Sequence, residues 1–166
     1  MNTPRLSRRH ALQGLGLSMA ALGVARWEGA QAVAAPVSLP TTGALSDALM
    51  QALRQKQPLV VMVSLQGCAF CKVVRENYLQ PLRASGLQVV QVDMRDHRVL
   101  SDFDGSALTH DTWVRKQGVK IAPTVLFFGA QGREVAARLI GAYLPDFYGA
   151  YLDEQLAIAR RVVAGT

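Results

Sequence analysis

Residues 58–74, PLVVMVSLQGCAFCKVV, constrain this chain more than any other stretch. The first half is a nearly continuous apolar run, short and β-branched, which reads as a strand buried on both faces. The second half changes period: Val73, Val74, Tyr78, Leu79 and Leu82 recur at helical spacing. A strand covered on both faces needs packed layers on either side, so the rest of the chain must supply helices to cover it. Both cysteines of the chain, Cys68 and Cys71, fall at the junction of the two periods.

The remaining pattern supplies those layers. Leu45, Ala48, Leu49, Ala52 and Leu53 mark a helix within 44–56, and LQVVQVD at 87–93 reads as a second buried strand. Pro81 should kink or shorten the helix that follows Cys71, because it lacks an amide hydrogen. Residues 94–109 lose all periodicity and read as a polar loop or insertion, with Asp93, Asp96, Asp102 and Asp104 taken as solvated. HDTWVRKQG predicts a short helix capped near Thr109 or Asp111 and stopped by Gly118, with Trp113 packed and Arg115, Lys116 and Lys120 exposed. PTVLFF and REVAARLIG flank GAQG as a hairpin, and a helix over 145–163 closes an α/β domain.

The N-terminus has the organisation of an export signal. Arg5, Arg8 and Arg9 precede a Gly- and Ala-rich apolar stretch from Ala11 to Ala25. Two small-x-small sites follow, ending at Ala32 and Ala34. Ser7-Arg8-Arg9 with Leu12 resembles a twin-arginine signal. The expected organisation is a signal over 1–34, a lead-in over 35–43, and a domain over 44–166 with an insertion at about 94–109. Four arginines and one glutamate lie in the signal, so half of the net charge of +6 belongs to targeting. The other positive residues are scattered, which excludes the clustered basic patch a nucleic-acid partner needs.

A CxxC opening a helix suits thiol–disulfide exchange. Free amide groups and the helix dipole at that end favour a negative sulfur, and the thiolate is the reactive form. Cys71, three residues on along the same helical face, can then resolve the mixed disulfide that Cys68 forms. A structural zinc site would need further ligands, and the spacing of His97 and His110 matches no finger. The acidic residues near 93–104 lack the glycine and terminal glutamate of a calcium loop. No metal and no organic cofactor is expected.

A strand, a CxxC opening a helix, and a proline entering a distant hairpin strand together resemble the thioredoxin superfamily. KIAPTVLFFGAQGREVAARLIG is similar to that family's C-terminal half. The resemblance spans about residues 44–162 and implies a three-layer thioredoxin fold, a central mixed β-sheet flanked by helices. It implies that Cys68 attacks and Cys71 resolves, that Pro123 is a cis-proline facing the dithiol, and that the backbone of Ala122 positions an extended substrate. Gly141 matches the family's glycine after the last strand. Phe70, between the cysteines, is expected to face outward as a contact surface. Among exported members the likeness is to SoxW-type periplasmic thioredoxins. Two positions depart from the reductase pattern: Met62 stands where a buried acid is usual, and Gly67 where a tryptophan is usual.

The resulting expectation is a monomeric periplasmic thiol–disulfide oxidoreductase that leans toward reduction. Its partners would be periplasmic protein thiols and disulfides, with a membrane protein exchanging electrons with it. A disulfide-introducing oxidase, or a non-enzymatic module holding copper(I) through both thiolates, is the alternative.

Overall fold

The computed structural model describes residues 38–142 and 145–165. The expected export signal and its cleavage sites lie outside the described residues. Helix α1 spans Leu45–Arg54, followed by strand β1 at Leu59–Ser64. Helix α2 covers Ala69–Val74 and passes through one wide π turn, Arg75–Leu79, into α3, Gln80–Ala84. Strand β2 is Val89–Asp93, β3 is Val99–Ser101 and β4 is Ala107–Thr109. Helix α4 spans His110–Lys116, β5 Thr124–Phe128, β6 Leu139–Ile140, and α5 Pro145–Ala164. Among the described residues no helix is long and apolar enough to cross a membrane.

The main sheet has the order β2-β1-β5-β6. Strand β1 runs parallel to β2, with Met62 opposite Gln91, and antiparallel to β5, with Met62 opposite Val125. All six residues of β1 are buried, as the unbroken apolar run predicts. Their alternation divides the core. Val60 and Met62 face Cys71, Val74 and Leu79 from the motif helix and Tyr148, Leu152 and Leu156 from α5. Leu59, Val61 and Val63 face Leu45, Leu49 and Ala52 of α1 and Trp113 and Val114 of α4. This is the three-layer arrangement with a mixed central sheet. Each fully buried Leu or Phe in it contributes on the order of 1.5–3 kcal/mol.

Pro81 distorts its helix, as expected: the turn before it widens to a π turn, which removes the need for the missing amide hydrogen. Two elements differ from the sequence expectation for identifiable reasons. The hairpin after β5 is irregular: Gly129 leads into a short 3₁₀ turn at Ala130–Gly132, and β6 holds only two residues. Gly132 is required there, since a Cβ would collide with the ring of Phe103. Finally, residues 94–109 are not a plain loop: β3 and β4 pair antiparallel, with Leu100 opposite Leu108. Strands of three residues are too short to display an alternation that sequence reading can detect.

That hairpin also corrects the reading of one of its aspartates, while Asp104 is exposed as expected. Asp102 is only 3% exposed. It accepts hydrogen bonds from the Trp113 indole at 3.0 Å, the Lys116 ammonium at 2.6 Å and the Phe103 amide at 2.8 Å. Phe103 then stacks on Phe128 with centroids 4.7 Å apart and meets Trp113 edge-on. One carboxylate thus fastens the insertion to α4 while an aromatic ring fastens it to the sheet. Asp102→Ala, which leaves the indole and amide donors without an acceptor, should lower the unfolding free energy by about 2–4 kcal/mol. Asp102→Asn, whose carbonyl can still serve Trp113, should lose roughly half as much. Urea denaturation measures both, and an alanine loss under about 0.5 kcal/mol would contradict the role given to this residue.

Candidate active site

Strand β1 delivers the chain to the site. Its end is followed by the Gln66-Gly67 turn, where Gly67 takes φ +75°, a conformation that favours glycine. Cys68 is extended and caps α2: its sulfur accepts the amide hydrogen of Cys71 at 3.1 Å. Cys68 and Cys71 are paired as a disulfide with Cα atoms 5.2 Å apart. The two sulfurs live in different surroundings. Cys68 is half-buried at the surface, whereas Cys71 is 0% exposed and packed in the apolar core with Met62 and Val125.

The opposing wall comes from the loop before β5. The Ala122–Pro123 peptide bond is cis. The carbonyl oxygen of Ala122 lies 3.9 Å from the Cys68 sulfur. Two contacts that sequence reading did not find hold this loop in place. The Thr124 hydroxyl donates to the Ile121 carbonyl at 2.7 Å, and the Gly141 amide donates to the Pro123 carbonyl at 2.7 Å. Cys68, Ala122 and Pro123 are therefore brought together from positions more than fifty residues apart. Phe70 is 66% exposed, on the outer face of the motif.

Two unlike grooves border the motif helix. On one side Phe70, Val73, Tyr78, Ile121, Pro123 and Ala142 line an apolar groove of about 430 Å³. On the other, a polar groove of about 1080 Å³ is bounded by Cys68 itself, the outer face of the motif helix and residues 93–98. A hydrogen-bonded chain forms part of its wall. Arg75 donates to Ser64 Oγ and Gln91 Oε1, each at 2.9 Å, and Gln91 donates to Asp93 at 2.7 Å. Arg75 lies seven residues after Cys68, on the same helical face, and that spacing is the signal by which sequence reading could have found it.

Asp93, Asp96 and His110 bring potential metal-ligand atoms within 4.8 Å of one another. Their donors are already engaged. Arg98 pairs with Asp96 at 2.5 Å and with Asp93 at 3.5 Å, and its hydrogen bonds hold the Asp96 carboxyl down at about 2. His110 Nδ1 accepts the Asp93 amide hydrogen at 3.2 Å, and the ring also bonds the backbone of Thr42. The cluster is an ion-paired corner that ties α4, the end of β2 and the lead-in together. The solvated reading of Asp93 and Asp96 therefore needs the same correction as that of Asp102.

The family described as Thioredoxin-like domain matches residues 45–156. Solved structures similar to the chain include a reduced thioredoxin pre-protein from Schistosoma mansoni, at 18% identity and a TM-score of 0.47, covering 72% of this chain and 96% of that one. Oxidised thioredoxin O2 from Arabidopsis thaliana is similar at 17% identity and a TM-score of 0.46, covering 73% and 97%. A thioredoxin-fold protein from Helicobacter pylori is similar at 14% identity and a TM-score of 0.49, covering 80% and 93%. No curated protein sequence matches the chain.

Burial lowers the pKa of His110 below its ordinary 6.5, with Asp96 opposing and Arg98 reinforcing the shift. The unfolded chain therefore binds this proton more readily than the folded one. The stability that neutral His110 contributes is fully present above 6.5 and is lost as pH falls through the lowered folded value. Urea midpoints should thus decline as pH falls below 6.5, and His110→Gln should flatten that decline. An equal decline in both proteins would show that other groups govern it.

Proposed function

The chain belongs to the thioredoxin-like domain family, and from that premise we propose that it is an exported thiol–disulfide oxidoreductase of the periplasm, leaning toward reduction. Its fold and CxxC pair make thiol–disulfide exchange the general activity. The observation that carries the assignment of roles is the unequal burial of the two sulfurs. Cys68 is half-buried and lines the polar groove, whereas Cys71 is 0% exposed.

In the reducing direction the Cys68 thiolate attacks one sulfur of a substrate disulfide. A bond forms between Cys68 and that sulfur, and the substrate's other sulfur leaves as a thiolate. Cys71, deprotonated, then attacks the Cys68 sulfur and expels the second substrate thiolate. Two electrons have passed to the substrate, and the chain is left with the Cys68–Cys71 disulfide. Pro123 and Ala122 bound the position of the incoming sulfur, and an extended substrate lies against the Ala122 backbone in the manner of an added strand. Phe70 offers an exposed apolar contact to the partner.

The lean toward reduction rests on how little the site adds to stabilise a Cys68 thiolate. Ala69 and Phe70 bring no charge, so the one hydrogen bond to the Cys68 sulfur from the motif is the Cys71 amide, with the helix start and the Lys72 ammonium one turn on as the remaining support. A strongly oxidising dithiol owes its character to a stabilised reduced form. An exported reductant must be recharged, so a membrane donor is the implied partner. The SoxW-type likeness and the signal over residues 1–34 belong to the same proposal.

Equilibration with glutathione should give a potential nearer to about −270 mV than to about −120 mV; the latter would make the protein an oxidase. Cys71→Ser should accumulate mixed disulfides with periplasmic proteins and Cys68→Ser should not. Tight one-to-one copper(I) binding without any exchange would overturn the enzymatic reading. For export, replacing Arg8 and Arg9 by lysine should leave the protein unprocessed in the cytoplasm. Normal processing of that variant would remove the twin-arginine route.

A further inference from the structure

The polar groove beside Cys68 is not neutral. Of its acids, Asp93 and Asp96 are both engaged by Arg98. Of its cations, Arg75 is half-buried and held only by neutral acceptors, Ser64 and Gln91. Those two bonds fix the guanidinium and leave most of its N–H donors uncommitted. Lys72 and Arg95 line the same groove, are exposed, and have no acidic partner among the described residues. Counting every charge that lines it, Lys72, Arg75, Arg95 and Arg98 face Glu76, Asp93 and Asp96, an excess of one cation, and Lys72, Arg75 and Arg95 have no ion pair among the described residues.

The placement relative to the sulfur is regular. Cys68, Lys72 and Arg75 stand at i, i+4 and i+7, which stacks them on one helical face. At about 1.5 Å per residue, Arg75 lies roughly 10 Å along the helix from Cys68. An extended peptide covers that distance in about three residues. A guanidinium locked by neutral side chains loses little freedom when it takes a carboxylate, and its planar fork fits one well.

We propose that this groove is a specificity site for an acidic side chain carried about three residues from the reacting cysteine of the substrate protein. This rests on the reading of Cys68 as the attacking thiol, and it adds a substrate class to that reading. The substrate lays its cysteine at Cys68, an apolar residue toward Phe70 and Ile121, and its carboxylate toward Arg75, Lys72 and Arg95. Opposite charge in the two partners would also hasten encounter at low salt.

The test uses disulfide-bonded peptides that differ only in Asp against Asn, placed three residues before or after the reactive cysteine, with the reduced full chain. The quantity read is the ratio of second-order rates, acidic over neutral, within each protein, so a general loss of activity cancels. For one of the two placements the ratio should be about fivefold at low ionic strength and fall toward one in about 0.5 M salt. Arg75→Gln should reduce the ratio, and so should Lys72→Gln with Arg95→Gln, which removes charge without touching the Ser64 and Gln91 bonds. A ratio of one at both placements, or one that survives both sets of substitutions, overturns the specificity site. So does a carboxylate preference confined to small disulfides such as dithiodipropionate. If neither peptide exchanges with the wild-type chain, it is the reading of the dithiol itself that fails.

Discussion

Everything at the site depends on β1 being buried on both faces. Because its two rows of side chains feed two separate halves of the core, the strand cannot shift by one residue without exchanging them. That register fixes where the strand ends, and the end fixes where Cys68 begins the helix. The same strand pairs with β5, so the loop carrying Ala122 and Pro123 is positioned from the same reference. The 3.9 Å approach of the Ala122 carbonyl to the Cys68 sulfur is thus a consequence of sheet register, reinforced locally by Thr124 and Gly141.

The sheet also separates two environments around one sulfur. Toward α5, the ground between the motif helix and β5 is apolar, and Phe70 extends it outward. Toward β2, the polar chain from Ser64 through Arg75 and Gln91 to Asp93 lines the groove. The insertion after β2 gives that second side its outer wall, since residues 93–98 stand opposite the motif helix. It is held there by His110 beneath one end and by Asp102 and Phe103 at the other. A segment that looks peripheral in the sequence therefore shapes the approach to Cys68.

The elements that could be read from the sequence were those whose signal is local. The apolar run of β1, the period change at the CxxC and the spacing of α1 all arise from neighbours in the chain, and each corresponds to an observed element. Pro81 marked the place of a distortion, and it takes the form of a widened turn that keeps the helix going past the fully buried Leu79. The burial of Asp102 and the anchoring of Arg75, as distinct from its place on the Cys68 face, could not be read for the opposite reason. Their partners are distant in sequence or neutral, so composition presents them as ordinary surface charges. Asp102 is buried by a tryptophan eleven residues away, and Arg75 is fixed by a serine on β1 and a glutamine on β2.

The replacement of an acid by Met62 sharpens the division between the two sulfurs. Met62 and Val89 lie in the same core as Cys71, and among the described residues that core holds no carboxylate to take its proton. The phenol of Tyr148, also in this core, is pushed upward by burial and keeps its own proton. A bare charge on Cys71 would be costly in such surroundings, whereas a neutral thiol or a disulfide suits them well. Cys68 has an amide donor, a helix start and an open polar groove beside it. On the proposed mechanism the chemistry therefore begins at Cys68, and the second step draws Cys71's proton toward the surface, along the path by which the substrate sulfur leaves. Water or the departing thiolate can accept it there. In that proposal the rate of resolution depends on how the substrate sits against the motif, which would couple partner recognition to catalysis.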